Sequence, residues 1–286
     1  MCKKTAIWIL AGFVSLTLAT TGARADNEKG TAVVKGKVVF EGEAADPKPL
    51  PKMDADAVCS KAHAKPQADQ GTIVYKKDGN TIPFVFVYVK SGLKGKYDAP
   101  AEPVTLDQSG CMYHPHVLGM VAGQTIQIKN SDPTNHNIHS LAKKNPQFNF
   151  AQPNAGMVKE LKTGDTFNKP EIMVKIKCDV HAWMSSFIGV CTHPFFDVTK
   201  NHENDGGDKT KRGTFELKNL PAGEYELEAW HENFGTVTQK VTIKDGETKE
   251  IEFKMGPKKS GDASQKMKEI IVKENGELAN QTNAGK

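Results

Sequence analysis

Short β-prone segments recur along most of this chain, and they constrain its fold more than any other feature. Val33–Phe40, Phe84–Val89 and Tyr225–Trp230 are such segments, rich in β-branched and aromatic residues. Glycine, proline, asparagine and aspartate separate them, and no long amphipathic helical pattern occurs before residue 260. Closely spaced short strands divided by turns are typical of β-sandwiches and barrels. We therefore predict an all-β fold.

The N-terminus has the pattern of a cleaved leader. Residues 1–25 contain a basic pair, Lys3 and Lys4, then an apolar run over residues 5–21, then an Ala-Arg-Ala pattern. This order is typical of a signal peptide, and the apolar run is short for a helix that spans a bilayer. We expect an exported protein, periplasmic or secreted, that keeps no stable membrane insertion after cleavage.

The composition argues against two large classes of function. The chain has 286 residues and a formal net charge of +4, and its lysines are scattered rather than gathered into a basic stripe. Nucleic acid is therefore not an expected partner. No Ser/His/Asp order, phosphate-binding loop or carboxylate pair stands out in the sequence, so we predict a protein that is not an enzyme.

Soft metal ligands are concentrated in one stretch of the chain. A thiol, an imidazole and a thioether, from Cys178, His181 and Met184, fall within seven residues. The alternation of residues 171–178 predicts a strand that carries the Cys178 sulfur on its buried face. Two histidines, one cysteine and a weak axial methionine form an electron-transfer copper site. The stretch therefore predicts copper and requires one more histidine.

Two upstream histidines, His136 and His139, are candidates for that ligand. Residues three apart in a strand point to opposite faces, so at most one of them need point at the site. Other interpretations stay open. Zinc could use both histidines with Cys178 and His181. Copper could be bound for storage, delivery or sensing, or Cys178 could pair with Cys191 in a metal-free binding module.

Four cysteines follow the predicted leader, at positions 59, 111, 178 and 191. If Cys178 is a metal thiolate, three remain, and an exported protein can keep a disulfide. We predict that Cys59 pairs with Cys111. The pattern formed by Cys111, His114 and His116 could also hold a metal, but we interpret it as structural because a proline stiffens it.

Two motifs resemble those of the cupredoxins, the plastocyanin, azurin and amicyanin type of blue copper protein. The segment Val121–Asn130, followed by His136–Asn137, resembles their strand and loop that deliver the first histidine. The spacing Cys178-x2-His181-x2-Met184 is similar to the short, amicyanin-type ligand loop. The resemblance covers residues 111–191.

This resemblance implies a Greek-key β-sandwich or barrel with one copper ion that cycles between Cu(I) and Cu(II). The ligands that it implies are His136, Cys178, His181 and Met184. His136 is preferred as the first histidine because Asn137 follows it, and the first histidine of such loops is often followed by asparagine. His139 is the fallback. The resemblance further implies that Asn137 braces the thiolate loop, and that the protein exchanges electrons with a redox partner protein such as a cytochrome.

Residues 213–255 have a different pattern. The segments Phe215–Leu217 and Glu228–His231 resemble the carboxypeptidase regulatory-like domain of exported bacterial proteins. That resemblance implies a small, non-catalytic antiparallel β-sandwich. After the leader we therefore expect a cupredoxin-like copper domain with an N-terminal β extension over residues 26–198, a regulatory-like β domain over 199–256, and a polar, disordered tail over 257–286.

Overall fold

The computed structural model describes residues 29–51, 53–201 and 206–257. Within these ranges nearly every regular element is a β-strand, which confirms the predicted all-β class. The strands form four sheets that pack as two β-sandwiches. The predicted signal peptide, and all but the first residue of the predicted tail, lie outside the described residues.

The first sandwich contains the Cys178 motif. Its five-stranded sheet has the spatial order β5 (Val117–Val121), β11 (Ser185–Cys191), β10 (Glu171–Lys177), β7 (His136–Ser140) and β8 (Asn149–Gln152). Its four-stranded sheet has the order β4 (Met112–His114), β3 (Val104–Ser109), β6 (Ile126–Asn130) and β9 (Met157–Leu161). β5 is parallel to β11 and β3 is parallel to β6, so the chain makes crossovers as well as hairpins.

Alternating side chains build the core of the first sandwich. Ile126 and Ile128 of β6, Ile138 of β7 and Ile176 of β10 are fully buried in one cluster. Branched aliphatic side chains of this kind pack well on a pleated surface. Cys178 follows Ile176 at the next inward position and is buried in the same cluster, so the alternation carries the thiol inward.

The second sandwich combines strands from both ends of the described chain. Its three-stranded sheet has the order β13 (Thr214–Leu220), β1 (Ala32–Phe40) and β16 (Thr248–Met255). Its four-stranded sheet has the order β12 (Phe196–Val198), β2 (Phe86–Ser91), β14 (Gly223–His231) and β15 (Gly235–Ile243). β1 is antiparallel to β13 and parallel to β16.

This strand pairing does not follow the predicted boundary between residues 198 and 199. β1 and β2 precede that boundary, yet they hydrogen-bond to strands that follow it. Val34 and Val38 of β1 pack with Phe215 and Phe253 in one core. The physical reason is size, because the strands of residues 199–256 alone offer too little apolar surface for an independent core. The N-terminal extension therefore completes the second sandwich.

The two sandwiches pack together through aromatic side chains that lie over two glycines. Gly119 of β5 and Gly189 of β11 are cross-strand neighbours. A Cβ atom at Gly189 would lie 2.5 Å from the Phe86 ring of β2, and one at Gly119 would clash with the Phe196 ring of β12. Glycine at both positions thus lets the second sandwich approach the first.

Helices are few and short. The α-helix α1 spans Ala57–Ala62, and 3₁₀ turns span Met53–Ala55, Gln70–Thr72, Lys76–Asp78 and Lys209–Lys211. Gly79 ends one of these 3₁₀ turns in the left-handed region (φ 78°), and an antiparallel bridge between Tyr75 and Thr81 closes the turn. No helical segment in the described ranges has the length and apolarity that a membrane crossing requires.

Candidate metal centre

The Cys178 motif forms a tight loop between β10 and β11. The Cys178 N–H donates to the Met184 carbonyl at 3.2 Å, and the Met184 N–H donates to the His181 carbonyl at 3.0 Å. The His181 N–H donates to the Cys178 sulfur at 3.3 Å. These bonds fold the loop back on itself, so that the Cys178 sulfur lies 3.9 Å from His181 Nδ1.

His136 supplies a second imidazole from the neighbouring strand. It is the first residue of β7, whose other end pairs with the last residues of β10, so it lies beside the loop that follows β10. Its side chain is fully buried, and its Nδ1 atom lies 3.0 Å from Nδ1 of His181. The candidate ligand atoms of His136, Cys178 and His181 all lie within 4.8 Å of one another.

Met184 and Trp183 close the loop on its inner side. The Met184 side chain is 1% exposed, in the same core cluster as Cys178. The Trp183 ring lies with its centroid 4.9 Å from the His181 ring, and its N–H donates to the Cys111 carbonyl at 3.0 Å. The side chains of Cys178, His181 and Met184 are thus buried, although the loop itself reaches the surface at Val180.

His139 points away from the centre. Its side chain is 24% exposed and its Nδ1 atom lies 3.0 Å from Asp179 Oδ2. Asn137, between the two histidines, braces the loop instead. Its backbone N–H donates to the Cys178 sulfur at 3.4 Å, and its side-chain oxygen accepts the Asp179 N–H at 3.0 Å. The geometry therefore favours His136 over the fallback His139.

The Cys59–Cys111 disulfide is present, and Cys178 and Cys191 are free, buried thiols. The disulfide fastens α1 to the first sandwich beside the centre, since Cys59 Sγ lies 3.8 Å from His181 Nε2. The alternative bond between Cys178 and Cys191 does not form, because Cys178 precedes β11 whereas Cys191 ends that strand.

Two carboxylates that were not among the predicted site residues lie at the outer nitrogens of the two histidines. Asp132 Oδ2 accepts from His136 Nε2 at 2.8 Å, and it also accepts the Cys111 N–H at 2.7 Å. Asp56 Oδ2 lies 3.4 Å from His181 Nε2. A carboxylate at the outer nitrogen fixes the tautomer and orients the ring. Both rings thus keep Nδ1 for a metal.

The two carboxylates differ in how far the sequence could reveal them. Asp132 stands four residues before His136 in a Ser-Asp-Pro turn, so its proximity was a local signal. Asp56 is the N-cap of α1, where its Oδ1 accepts the N–H groups of Val58 and Cys59. Only the folded structure brings this cap to His181.

Copper proteins are among the solved structures that resemble this chain. A Cu-containing nitrite reductase from Thermus scotoductus aligns at 24% identity over 36% of this chain and 25% of its own, with a TM-score of 0.26. A purple cupredoxin from Nitrosopumilus maritimus aligns at 22% identity over 30% of this chain and 98% of its own, with a TM-score of 0.25. A mutant of amicyanin in its Cu(I) form aligns at 16% identity over 36% and 97%, with a TM-score of 0.27.

The function of this chain is therefore argued from the residues of the site and not from these alignments. The chain spans only a quarter of the nitrite reductase, and similarities of this size do not establish an activity or a ligand. No family model matches the chain, and no curated protein matches it.

The upstream pattern of Cys111, His114 and His116 does not converge on one point. Cys111 is in the disulfide, His114 Nε2 lies 3.1 Å from the Ser109 carbonyl, and His116 Nε2 lies 2.5 Å from Glu232 Oε1. The three side chains thus have separate partners, which agrees with their structural interpretation.

Burial and hydrogen bonds set the protonation of the metal-free centre. Burial alone would raise the pKa of the Cys178 thiol, but hydrogen bonds from His136 and from backbone N–H groups hold that pKa below its ordinary value. Burial opposes a charge on His136, yet Asp132 and Cys178 raise its pKa to about 9. Burial, and then the charge of His136, lower the pKa of His181. The surroundings therefore favour the charged forms of Cys178 and His136 and disfavour a charge on His181.

Proposed function

We propose that the chain is an exported, non-catalytic protein that holds one copper ion and transfers electrons. One observation carries the proposal: the sulfur of Cys178 and the Nδ1 atoms of His136 and His181 converge, buried, from the start of β7 and from the loop after β10. Met184 closes that loop. Thiolate, imidazole and thioether donors in this combination suit copper in both oxidation states.

When bound, copper supplies a one-electron Cu(I)/Cu(II) couple. Cys178 would provide the thiolate donor and the electronic path out of the site, and His136 and His181 would provide the two imidazole donors. Met184 would offer a weak thioether donor that helps to set the potential. The carboxylates at the outer nitrogens hold both rings, so the ligands move little when the oxidation state changes.

Two observations weigh against the competing metal functions. A zinc site that used His139 would need that side chain to point into the centre, and it faces Asp179 instead. Storage or delivery needs ligands that another molecule can reach, whereas Cys178 is 2% and His181 3% exposed. Electron transfer tolerates this burial, because the electron leaves and the ion stays.

The proposal includes a protein redox partner, such as a cytochrome, in the periplasm or outside the cell. Val180 lies in the ligand loop between Cys178 and His181, and it is 54% exposed. It offers a partner an apolar contact within the loop. A reversible redox wave with rapid exchange to a cytochrome would support a carrier, whereas slow exchange together with ion transfer to an acceptor would support delivery.

Visible absorption of the copper-loaded protein tests the proposal. We expect an intense sulfur-to-copper charge-transfer band that Cys178→Ser abolishes. Cys191→Ser is the matched control, since it removes the other buried free thiol and should leave the band intact. A protein that keeps zinc and forms no such band with copper would contradict the proposal.

A further inference from the structure

A buried ion pair connects the second sandwich to the first beside the metal loop. Glu232 directly follows β14, in the turn to β15, and His116 lies between β4 and β5. His116 Nε2 lies 2.5 Å from Glu232 Oε1, and the two side chains are 4% and 18% exposed. The pair is a polar contact in an otherwise aromatic interface, where Phe84 and Phe187 lie edge-on to the His116 ring.

His116 extends this contact to the residue that follows Met184. Its Nδ1 atom lies 3.2 Å from the Ser185 carbonyl oxygen. Its own carbonyl accepts the Phe187 N–H at 3.0 Å. His116 therefore contacts the backbone after Met184 at two points. Its imidazole meets the Ser185 carbonyl, and its backbone carbonyl accepts the Phe187 N–H.

Both ring nitrogens of His116 face oxygen atoms. Nε2 lies against the Glu232 carboxylate and Nδ1 against the Ser185 carbonyl, and these oxygens only accept hydrogen bonds. Burial would raise the pKa of Glu232, but the hydrogen bond and charge of His116 hold it below its ordinary value. Removal of one partner of a buried charged pair leaves the other charge uncompensated.

We propose that Glu232, acting through His116, is a positioning residue for Met184, so that the second sandwich tunes the metal centre. This inference rests on the proposed copper function. The Glu232 carboxylate contacts Nε2 of His116, Nδ1 of the same ring contacts the Ser185 carbonyl, and Ser185 directly follows Met184. The Met184 side chain is 1% exposed and has little room to compensate. The axial ligand in turn influences the potential of such a site.

Glu232→Gln tests the inference with little change of shape. The glutamine oxygen can still accept from His116 Nε2, but the negative charge of the carboxylate beside the ring is lost. We expect the charge-transfer band to remain, with altered relative band intensities and a shifted reduction potential. Copper affinity should fall about tenfold, as is typical when an outer contact of a metal site is removed.

Glu228→Gln is the matched control. Glu228 lies on β14, 9% exposed, and accepts the Tyr88 hydroxyl at 2.7 Å and the Lys90 ammonium at 2.8 Å, both from β2. This substitution should lower the thermal midpoint and leave the potential and the copper affinity unchanged. In a Met184→Leu background, Glu232→Gln should change neither the reduction potential nor the copper affinity further. The reason is that the Met184 thioether, through which Glu232 is proposed to act, is absent.

Several results would overturn the inference. Wild-type potential, spectrum and affinity in Glu232→Gln would mean that the pair only joins the sandwiches. A shift of equal size in the Met184→Leu background would mean that Glu232 does not act through Met184. If Glu232→Gln does not fold, Glu232→Asp is used instead. It keeps the charge but lengthens the contact with His116, and its potential and copper affinity are compared with those of the wild-type protein. Absence of the charge-transfer band in the wild-type protein would instead contradict the copper function.

Discussion

Exposed ion pairs occur on both sandwiches, whereas the first also holds a buried charged pair at its candidate metal centre. On the second, ion pairs such as Lys35–Glu250 lie on the outer face, with side chains 44% and 74% exposed. In the first, the pair of His136 and Asp132 is buried, with exposures of 0% and 11%. Exposed pairs contribute little to stability, whereas buried polar groups are costly unless they are partnered. The buried cluster of the first sandwich therefore indicates a function, and the exposed pairs of the second do not.

The strongest test of this contrast compares two histidines of one strand. His136→Ala should abolish the charge-transfer band, because it removes a buried ligand. His139→Ala should leave the band unchanged, because that side chain faces Asp179. Visible absorption and copper stoichiometry measure both effects. If the band is lost in His139→Ala and kept in His136→Ala, the first ligand is His139 rather than His136.

A core substitution in the second sandwich should separate folding from copper chemistry. Phe253 is 1% exposed among the side chains of β1 and β13. Phe253→Ala should lower the free energy of unfolding by about 3–5 kcal/mol, as large-to-small core substitutions do. Chemical denaturation measures this loss, and the folded protein should keep its charge-transfer band. A folded variant without the band would show that the two sandwiches cannot be treated separately.

The carboxylate on His181 should matter where a surface carboxylate does not. Asp56→Asn keeps a side chain that can cap α1 but weakens the contact with His181 Nε2. Copper affinity should fall about 10- to 100-fold. Glu250→Gln, on the exposed pair of the second sandwich, should change neither the affinity nor the stability measurably. Equal copper affinity in Asp56→Asn and Glu250→Gln would show that Asp56 has no role in copper binding.

Copper binding should also weaken as the pH falls. In the metal-free protein His136 keeps a proton up to about pH 9, because Asp132 and the Cys178 thiolate outweigh burial. Copper must displace that proton, so the apparent affinity should fall about tenfold for each pH unit below this value and level off above it. Competition with a chelator of known protonation measures the slope. A flat profile across neutral pH would contradict the buried imidazolium.

Local sequence patterns predicted the parts of the centre that depend on near neighbours. Alternation carries Cys178 to the inner face of β10, and its short spacing to His181 and Met184 permits one closed loop. The faces of a strand also explain why His136 and His139 diverge. These features follow from the geometry of one strand or one turn.

The remaining features depend on contacts between distant segments. The pairing of β1 with β16 crosses the predicted boundary at residue 198, because strands from both sides of it share one core. Asp56 lies near His181 at the start of α1, which the Cys59–Cys111 disulfide fastens to the first sandwich. No local pattern records such contacts.

X-ray absorption at the copper edge tests the central claim most directly. The account predicts two nitrogen ligands and one short sulfur ligand in the wild-type protein. The short sulfur should disappear in Cys178→Ser and one nitrogen in His136→Ala, with His139→Ala as the unchanged control. A copper ion bound by nitrogen and oxygen alone, or a short sulfur that survives Cys178→Ser, would contradict it.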